Sequence, residues 1–563
     1  MDTDPNQGSA IYATAAHHIQ QRRVTWFLKW VAVLIIAPLC LLIAMELALR
    51  AFGFWHSSAY LLSQKDGAGR EFLNTNKTFL WNFFPGSQSF SPSAVHFMAQ
   101  KEPNAFRIVV LGESAALGLP IQEASFSRIL EEMLQRQFPQ LNFEFLNAST
   151  PGINSHVLLA MAREYGAYSP DACIVYAGNN EFTGPFGAAT SKTGPLPLPV
   201  IRATISARKT ALASCLRGLF SGFAPQASPM PSGLHGVSPD GACRDRTHRI
   251  FRQNLHDISA AALGSGAALV LCTVPTNERD FPPASSRHRT GLSAPSQQEW
   301  ERHVHEARSW EAKNEPAQAL SAYAKAAEID SLHADLHYRM ACCVLAMGDR
   351  ARASVEFEKA RDLDALPVRA DTHINAAIRE TAATFTSRGA MLADCLADFR
   401  EHSVDGIPGN AFFYDHVHLT FEGNHRIAST LLPLVARVIQ SKRGLEPVAA
   451  SPIPPDSREW EEMLGFTPWH DRYAKQLAPA LIKSALALFA AQARPATAPL
   501  PMAREELQRD IAIVQRYLQR RPFDEAQRAK LAIMERDFDP EKYNPAQSLH
   551  RPDVFVFDAE TMR

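Results

Sequence analysis

The chain has no excess charge of either sign. In 563 residues, 57 Lys and Arg stand against 58 Asp and Glu, a formal net charge of −1. That excludes a general affinity for nucleic acid, because no surplus of cations exists to neutralise phosphates. Cysteine is scarce as well, at eight residues, too few for a disulfide-built scaffold of this length. Cys173, Cys272 and Cys395 fall in apolar runs read as buried strands, where thiols act as core residues. Cys215 and Cys243 flank a loop-rich stretch and can pair in an oxidising compartment. Long uncharged apolar runs are also rare. The exception is WVAVLIIAPLCLLIAM at 30–45. Lys29 and Glu46 bracket it and can snorkel, so the apolar segment extends over 24–49. A bilayer-spanning helix needs about 20 such residues, whereas the apolar core of a cleaved signal peptide has about 7–15 and ends near an A-x-A-like site. An uncleaved transmembrane helix over 24–49 is therefore expected, with Pro38 tolerated inside it. Arg22 and Arg23 just before it predict a short cytoplasmic tail over 1–23 and the rest of the chain outside.

The length predicts more than one domain, and 46% apolar residues suffice for a sizeable core. Residues 50–104 show scattered aromatics and no period, and read as a membrane-proximal connector. Short apolar runs then alternate with helical patterns. The runs are FRIVVLG (106–112), FEFLNAS (143–149), ACIVYAG (172–178), AALVLCT (267–273) and AMLADC (390–395). Near-continuous apolar strands are those of a parallel sheet buried on both faces. Between them lie SFSRILEEMLQRQF (125–138) and IFRQNLHDISAAAL (250–263). Strand and helix in alternation mean a doubly wound α/β fold.

Two insertions interrupt that alternation. Residues 184–248, rich in Pro, Gly and Ser, read as a long loop system. The second repeats itself: NEPAQALSAYAKAAEID (314–330) aligns with GDRARASVEFEKARDLD (348–364) at a constant offset of 34. Ala319 matches Ala353, Tyr323 matches Phe357, Ala326 matches Ala360 and Asp330 matches Asp364. A 34-residue period with small residues at helix crossings resembles the tetratricopeptide repeat. Two repeats over 296–365 need flanking helices to cap them, and RADTHINAAIRETAATF (369–385) is a candidate. From 446 onward a linker, ASPIPPDS (450–457), leads to helical stretches at 473–493 and 504–520. Lys475 and Lys483 make the first a core or interface helix rather than a second span.

Chemistry concentrates where strands end. Ser114, in VVLGESAALGL (109–119), follows the first apolar run where a helix is expected to begin near Ala115. Ligands of α/β sheets bind at that edge, and free backbone N–H groups there can hold an oxyanion. Taken alone, this stretch favours a helix N-cap as the reading of the Ser. A nucleophilic Ser needs a base and the base an orienting group. FFYDHVHLTFEGNH (412–425) supplies His418 three residues after Asp415. Spacing alone leaves His416 and His425 as competitors. A metal site built on the Asp-His-x-His pattern would need companion ligands, and no second such cluster is visible in the sequence. Gly152, in NASTPGINS after the second run, lets a backbone N–H approach a substrate. Asn180, in AGNNEF after the third, offers an amide donor.

Ser, Gly, Asn, then Asp and His, in this order, resemble the SGNH/GDSL hydrolase family. Gly112, Glu113 and Ser114 match its first block, with Glu113 where Asp is usual. Gly152 matches the second block, Gly178, Asn180 and Glu181 the third, and Asp415 with His418 the last. The resemblance covers about 105–280 and 366–445. It is closest to a membrane-anchored bacterial subgroup with a tetratricopeptide insertion, to whose signatures GNNEFTGPFG (178–187) and TVPTNERDFPP (273–283) are similar. It implies a flavodoxin-like three-layer α/β/α fold on a parallel five-stranded sheet, split into 105–295 and 366–445. It also implies a helical C-terminal region over 446–563. Ser114 would be the nucleophile. Its own N–H, that of Gly152 and the amide of Asn180 would form the oxyanion hole. No cofactor or metal is implied. The expected activity is that of a serine esterase or deacetylase on an ester, such as an acetylated envelope polysaccharide or a lipid. The same residues serve an O-acyltransferase, and a non-catalytic scaffold recruiting protein partners through the repeats is the third reading. The expected location is the bacterial inner membrane, single-pass, with the main domain periplasmic.

Overall fold

The computed structural model describes residues 26, 30–53, 57–84, 91–191, 193–220, 234–448, 457–486, 504–521 and 525–538. They divide into two compact units, residues 1–58 with 202–226, and residues 59–201 with 227–563.

The larger unit has eight strands among its described residues: β1 (Leu61–Lys65), β2 (Glu71–Thr75), β3 (His96–Met98), β4 (Ala105–Gly112), β5 (Asn142–Asn147), β6 (Ala172–Tyr176), β7 (Ala268–Cys272) and β8 (Ala390–Ala393). The last five form one parallel sheet in the order β5-β4-β6-β7-β8. All eight residues of β4 and all five of β6 are buried. This is why their sequences run apolar without alternation: helices cover both faces. The helices Phe126–Gln137 and Phe421–Arg443 pack together as one group, and Ser155–Tyr165, Ala242–Gly264 and Thr372–Phe385 as another. Right-handed crossovers put the two groups on opposite faces, because the winding reverses at β4. That reversal leaves a crevice at the carboxyl end of β4, between β5 and β6.

Residues 50–104, without visible period in the sequence, contain the antiparallel meander β1-β2-β3. Its strands are only three to five residues long, too short for a period to show. Arg107 of β4 helps hold the meander. Its fully buried guanidinium donates to the carbonyls of Met98 (2.8 Å) and Tyr168 (2.6 Å), pairs with Glu144 (2.7 Å) and lies over the Phe97 ring. A buried charge is tolerated when all its donors are used.

The repeating segment folds into four helices, Ala294–Glu311, Pro316–Ile329, Ala334–Ala346 and Arg350–Asp362. They share one apolar core containing Ala319, Tyr323, Ala326, Ala353 and Phe357. The repeat-equivalent aspartates make equivalent bonds. Asp330 accepts the N–H of Leu332 and Arg289, and Asp364 those of Leu366, Ala284 and Ser285. The 34-residue period thus has a packing basis and a hydrogen-bonding one.

Two expectations are corrected. Residues 184–248 are not all loop: helices Leu198–Arg208 and Ala211–Phe220 lie within them, and Ala242–Gly264 begins there. Pro199 sits in the first turn of its helix, where proline is favoured; it marks a helix start rather than a loop. Cys395 is buried but lies in the helix Cys395–His402, capped by Asp394, and not in a strand. Cys215 and Cys243 are free thiols.

In the smaller unit a π-helical turn, Ala32–Ile36, precedes the helix Ala37–Ala51. Among the described residues the expected helix over 24–49 consists of this π-helical turn followed by the α-helix. Residues 24, 25 and 27–29 lie outside the described residues, and among those described no helix is long and apolar enough to cross a membrane. Pro38 has no N–H to continue the ladder, so the register changes beside it. No residue of Ala37–Ala51 is buried. Glu46 accepts the N–H of Ala211 (2.8 Å) and Leu212 (2.9 Å), at the start of the helix Ala211–Phe220.

The C-terminal helices Ser457–Leu464, Pro468–Leu486, Arg504–Arg520 and Glu525–Phe538 gather around Trp469, Val514 and Met534. Ala474 packs on Ile121 and Ala124, beyond the turn that carries Ser114. The linker at 450–456 and residues 487–503 and 539–563 lie outside the described residues.

Candidate active site

β4 ends at Gly112, and a one-turn helix, Ser114–Leu117, follows at once. Glu113, not Ser114, takes the N-cap position, with extended backbone angles. The capping explanation for Ser114 therefore fails. Its hydroxyl lies 2.9 Å from His418 Nε2. The other ring nitrogen, Nδ1, is 2.6 Å from Asp415 Oδ2. These three residues, 304 positions apart at the extremes, form one hydrogen-bonded chain.

A tight hairpin makes this meeting possible. Phe413 bridges Leu419, and the N–H of Tyr414 donates to the carbonyl of His418 (2.8 Å). Inside the turn, Asp415 Oδ1 accepts the N–H groups of Val417 (2.9 Å) and His418 (2.8 Å). Thr420 then caps the helix Phe421–Arg443, and Asn424 in its first turn accepts the N–H of Phe126 (2.9 Å). Burial alone would raise the Asp415 pKa. The charges of His418 and His416 and the His418 hydrogen bonds outweigh it and hold this carboxyl far below the usual range. Asp415 is thus an anion aimed at imidazole.

The competing histidines separate clearly. His416 Nδ1 is 3.4 Å from Asp415 Oδ1, its ring lies against Phe281, and burial pushes its pKa down to about 4. It is a neutral packing neighbour. His425, on the helix Phe421–Arg443, stacks on Phe421 and meets the Trp460 ring edge-to-face.

Gly152 follows β5 with φ +71°, a left-handed conformation that glycine adopts without strain. Gly178 follows β6 with φ +144°, and a Cβ there would stand 2.5 Å from Ile374 Cγ2. Ser114, Gly152 and Asn180 therefore lie just beyond the carboxyl ends of three adjacent parallel strands. Among the described residues, none of the Ser114 N–H, the Gly152 N–H and the Asn180 side-chain amide donates to another protein group.

Three supporting residues were not assigned these roles from the sequence. The Glu113 carboxylate accepts the N–H groups of Gly178 (3.3 Å), Asn179 (3.0 Å) and Asn180 (3.2 Å). The longer side chain in place of Asp clasps the β6 loop and leaves the Ser114 turn intact. Burial, with the Glu181 charge added, pushes the Glu113 pKa up to about 8; burial pushes that of Glu181 up to about 7. Glu181 accepts the N–H (2.8 Å) and hydroxyl (2.7 Å) of Ser155. Asn277, in TVPTNERDFPP, holds the histidine hairpin: its amide donates to the Asp415 carbonyl (2.9 Å) and its N–H to that of His416 (3.0 Å). Arg369 donates to the Asn277 carbonyl (2.8 Å). The next residue, Glu278, pairs in a buried site with Arg361 of the last repeat helix. The isolated polar cluster N-E-R-D inside a Pro-rich loop was the available signal.

No family model matches the chain, and no curated protein does. Among solved structures it is similar to the acetyl xylan esterase AlAXEase, at 12% identity over 59% of this chain and 100% of that one, with a TM-score of 0.28. It is similar to a GDSL-like lipase from Bacteroides thetaiotaomicron VPI-5482, at 11% identity over 60% and 88%, TM-score 0.26. It is also similar to Axe2, an acetylxylan esterase from Geobacillus stearothermophilus, at 10% identity over 59% and 94%, TM-score 0.26. Likeness at this level carries no argument about activity, which rests on the residues themselves.

Proposed function

We propose that this protein is a serine esterase of the SGNH type. The chain from Ser114 Oγ through His418 to Asp415, with contacts of 2.9 and 2.6 Å, carries the reading. Ser114 donates its proton to His418 Nε2 as it attacks an ester carbonyl. Asp415 accepts from Nδ1–H and stabilises the imidazolium. The oxyanion is received by the N–H groups of Ser114 and Gly152 and the amide of Asn180, donors not committed within the described protein. Collapse expels the alcohol, which takes the proton back from His418. Water, deprotonated by His418, then cleaves the acyl-enzyme. No step needs a metal or cofactor.

The substrate class in this reading is an ester-bearing envelope carbohydrate or lipid. Residues 24–49 form the membrane anchor, with 1–23 cytoplasmic and the catalytic domain periplasmic. The exposed apolar side chains of Ala37–Ala51, with no residue of the helix buried, support this. The four helices over 294–362 are two tetratricopeptide repeats, inserted between hydrolase segments 105–295 and 366–445, and they receive a bulky substrate or a protein partner. The buried 34-residue pattern supports that assignment.

The test is hydrolysis of p-nitrophenyl acetate by the purified protein and by Ser114→Ala. Turnover by the wild type and its loss in the variant, with both folded by circular dichroism, is the expected result. Equal rates in the two would remove Ser114 from the chemistry.

A further inference from the structure

His248, Asp371 and His373 meet on the larger unit although 123 residues separate the first two. His248 belongs to the helix Ala242–Gly264, Asp371 caps the helix Thr372–Phe385, and His373 stands in that helix's first turn. One ligating atom from each lies within 4.8 Å of the others. The Asp371 carboxylate is fixed: one oxygen accepts the N–H of Ile374 (2.9 Å) and the other lies 2.7 Å from His248 Nε2. The His248 ring is held edge-to-face by Phe182 and stacked on His373, with centroids 4.6 Å apart. His373 is exposed, and its ring makes no hydrogen bond among the described residues.

We propose that His248, Asp371 and His373 bind one divalent cation of the zinc class, with water completing the coordination. Two imidazoles and one carboxylate are borderline ligands suited to zinc at about 2.0–2.2 Å. Nearly parallel rings cannot both point in-plane at one ion. The exposed His373 side chain therefore turns toward the fixed pair as the cation enters. Two arginines that interact electrostatically with Asp371 have their hydrogen bonds elsewhere. Arg361 is engaged with Glu278, Asp362 and Thr372, and Arg244 with the carbonyls of Ser238, Asp362 and Asp364.

The site is distinct from Ser114 but reaches its surroundings. The N–H of Ala370, next to Asp371, donates to Asn179 Oδ1 (3.0 Å), and Ile374 lies against Gly178. A bound cation braces the segment on which the β6 loop rests.

The experiment is titration of metal-stripped protein with zinc chloride in 10 mM magnesium, by calorimetry and thermal melting. The wild type, His373→Ala and His248→Gln are compared. The expected result is one zinc per chain in the wild type, affinity at least tenfold weaker in both variants, and a zinc-dependent rise in Tm in the wild type only. His373→Ala removes an exposed side chain, so loss of fold does not confound it. Absence of saturable binding in the wild type overturns the proposal. Equal affinity in all three proteins does so too, reducing the binding to an adventitious ion only. The readouts do not depend on esterase activity, so failure here leaves the Ser114 reading standing, and the reverse.

Discussion

The carboxylate of Glu113 accepts the backbone N–H of Asn180 at 3.2 Å, so the residue before the proposed nucleophile anchors the residue proposed to bind the oxyanion. Loops from two neighbouring strands are locked to each other at the reaction centre. The buried carboxyl's pKa stands at about 8, raised by burial and by Glu181.

That shift has a definite sign for stability. A carboxyl of raised pKa binds more protons folded than unfolded, so it lowers stability as pH rises from its unfolded value, about 4.3, to about 8. The wild-type Tm should fall across pH 5–8. Glu113→Gln, which cannot ionise, should show a shallower fall, because only Glu181 and other groups remain to titrate. Parallel Tm-against-pH curves for the two proteins would refute the account of Glu113.

Asp415→Asn keeps the size of the side chain but removes the anion facing His418. The expected effect is a drop in kcat of about 10⁴-fold with the fold retained, since an uncharged partner neither fixes the tautomer nor stabilises the imidazolium. Steady-state kinetics with p-nitrophenyl acetate measure it. A loss under tenfold would assign Asp415 to hairpin structure alone.

Asn180→Ala should lower kcat about 10²–10³-fold, the value of one oxyanion donor at about 2.7–4 kcal/mol, with KM little changed. The backbone bond from Asn180 to Glu113 survives this substitution, so Tm should hold. A rise in KM at constant kcat would make Asn180 a substrate-binding residue instead.

Asn277→Ala tests the hairpin support. Asn277 bonds to the hairpin backbone, where its N–H donates to the His416 carbonyl and its amide carries the Asp415 carbonyl. We expect kcat to fall at least tenfold at unchanged KM, together with a stability loss of about 1–3 kcal/mol from unpaired buried groups. A stability loss without any kcat change would make its role purely structural.

Much of this was legible in the residues. The five parallel strands stand at the five apolar runs; β4 and β6, buried along their whole length, are nearly all apolar for that reason, and edge strand β5 is only partly buried. Asp415 and His418 met Ser114 as their spacing and order suggested. Gly152, read from the sequence as a glycine that lets a backbone N–H approach a substrate, lies just past β5 in a left-handed conformation. Other features were hidden for physical reasons. The roles of Glu113 and Asn277 depend on backbone donors and acceptors of distant loops, and these leave no mark on sequence. The β1–β3 meander is too short to show a period. Within 184–248 the helix Leu198–Arg208 has Pro199 in its first turn, a residue that also signals loops. The His248–Asp371–His373 group joins two helices far apart in the chain, so no spacing rule reveals it.

The central claim is an activated Ser114, and the most direct measurement is covalent labelling by a fluorophosphonate, mapped by peptide mass spectrometry. The account predicts one adduct per chain, on Ser114, blocked by denaturation and abolished in Ser114→Ala and His418→Ala. A folded wild-type protein that takes no label, or takes it on another serine, would contradict the account.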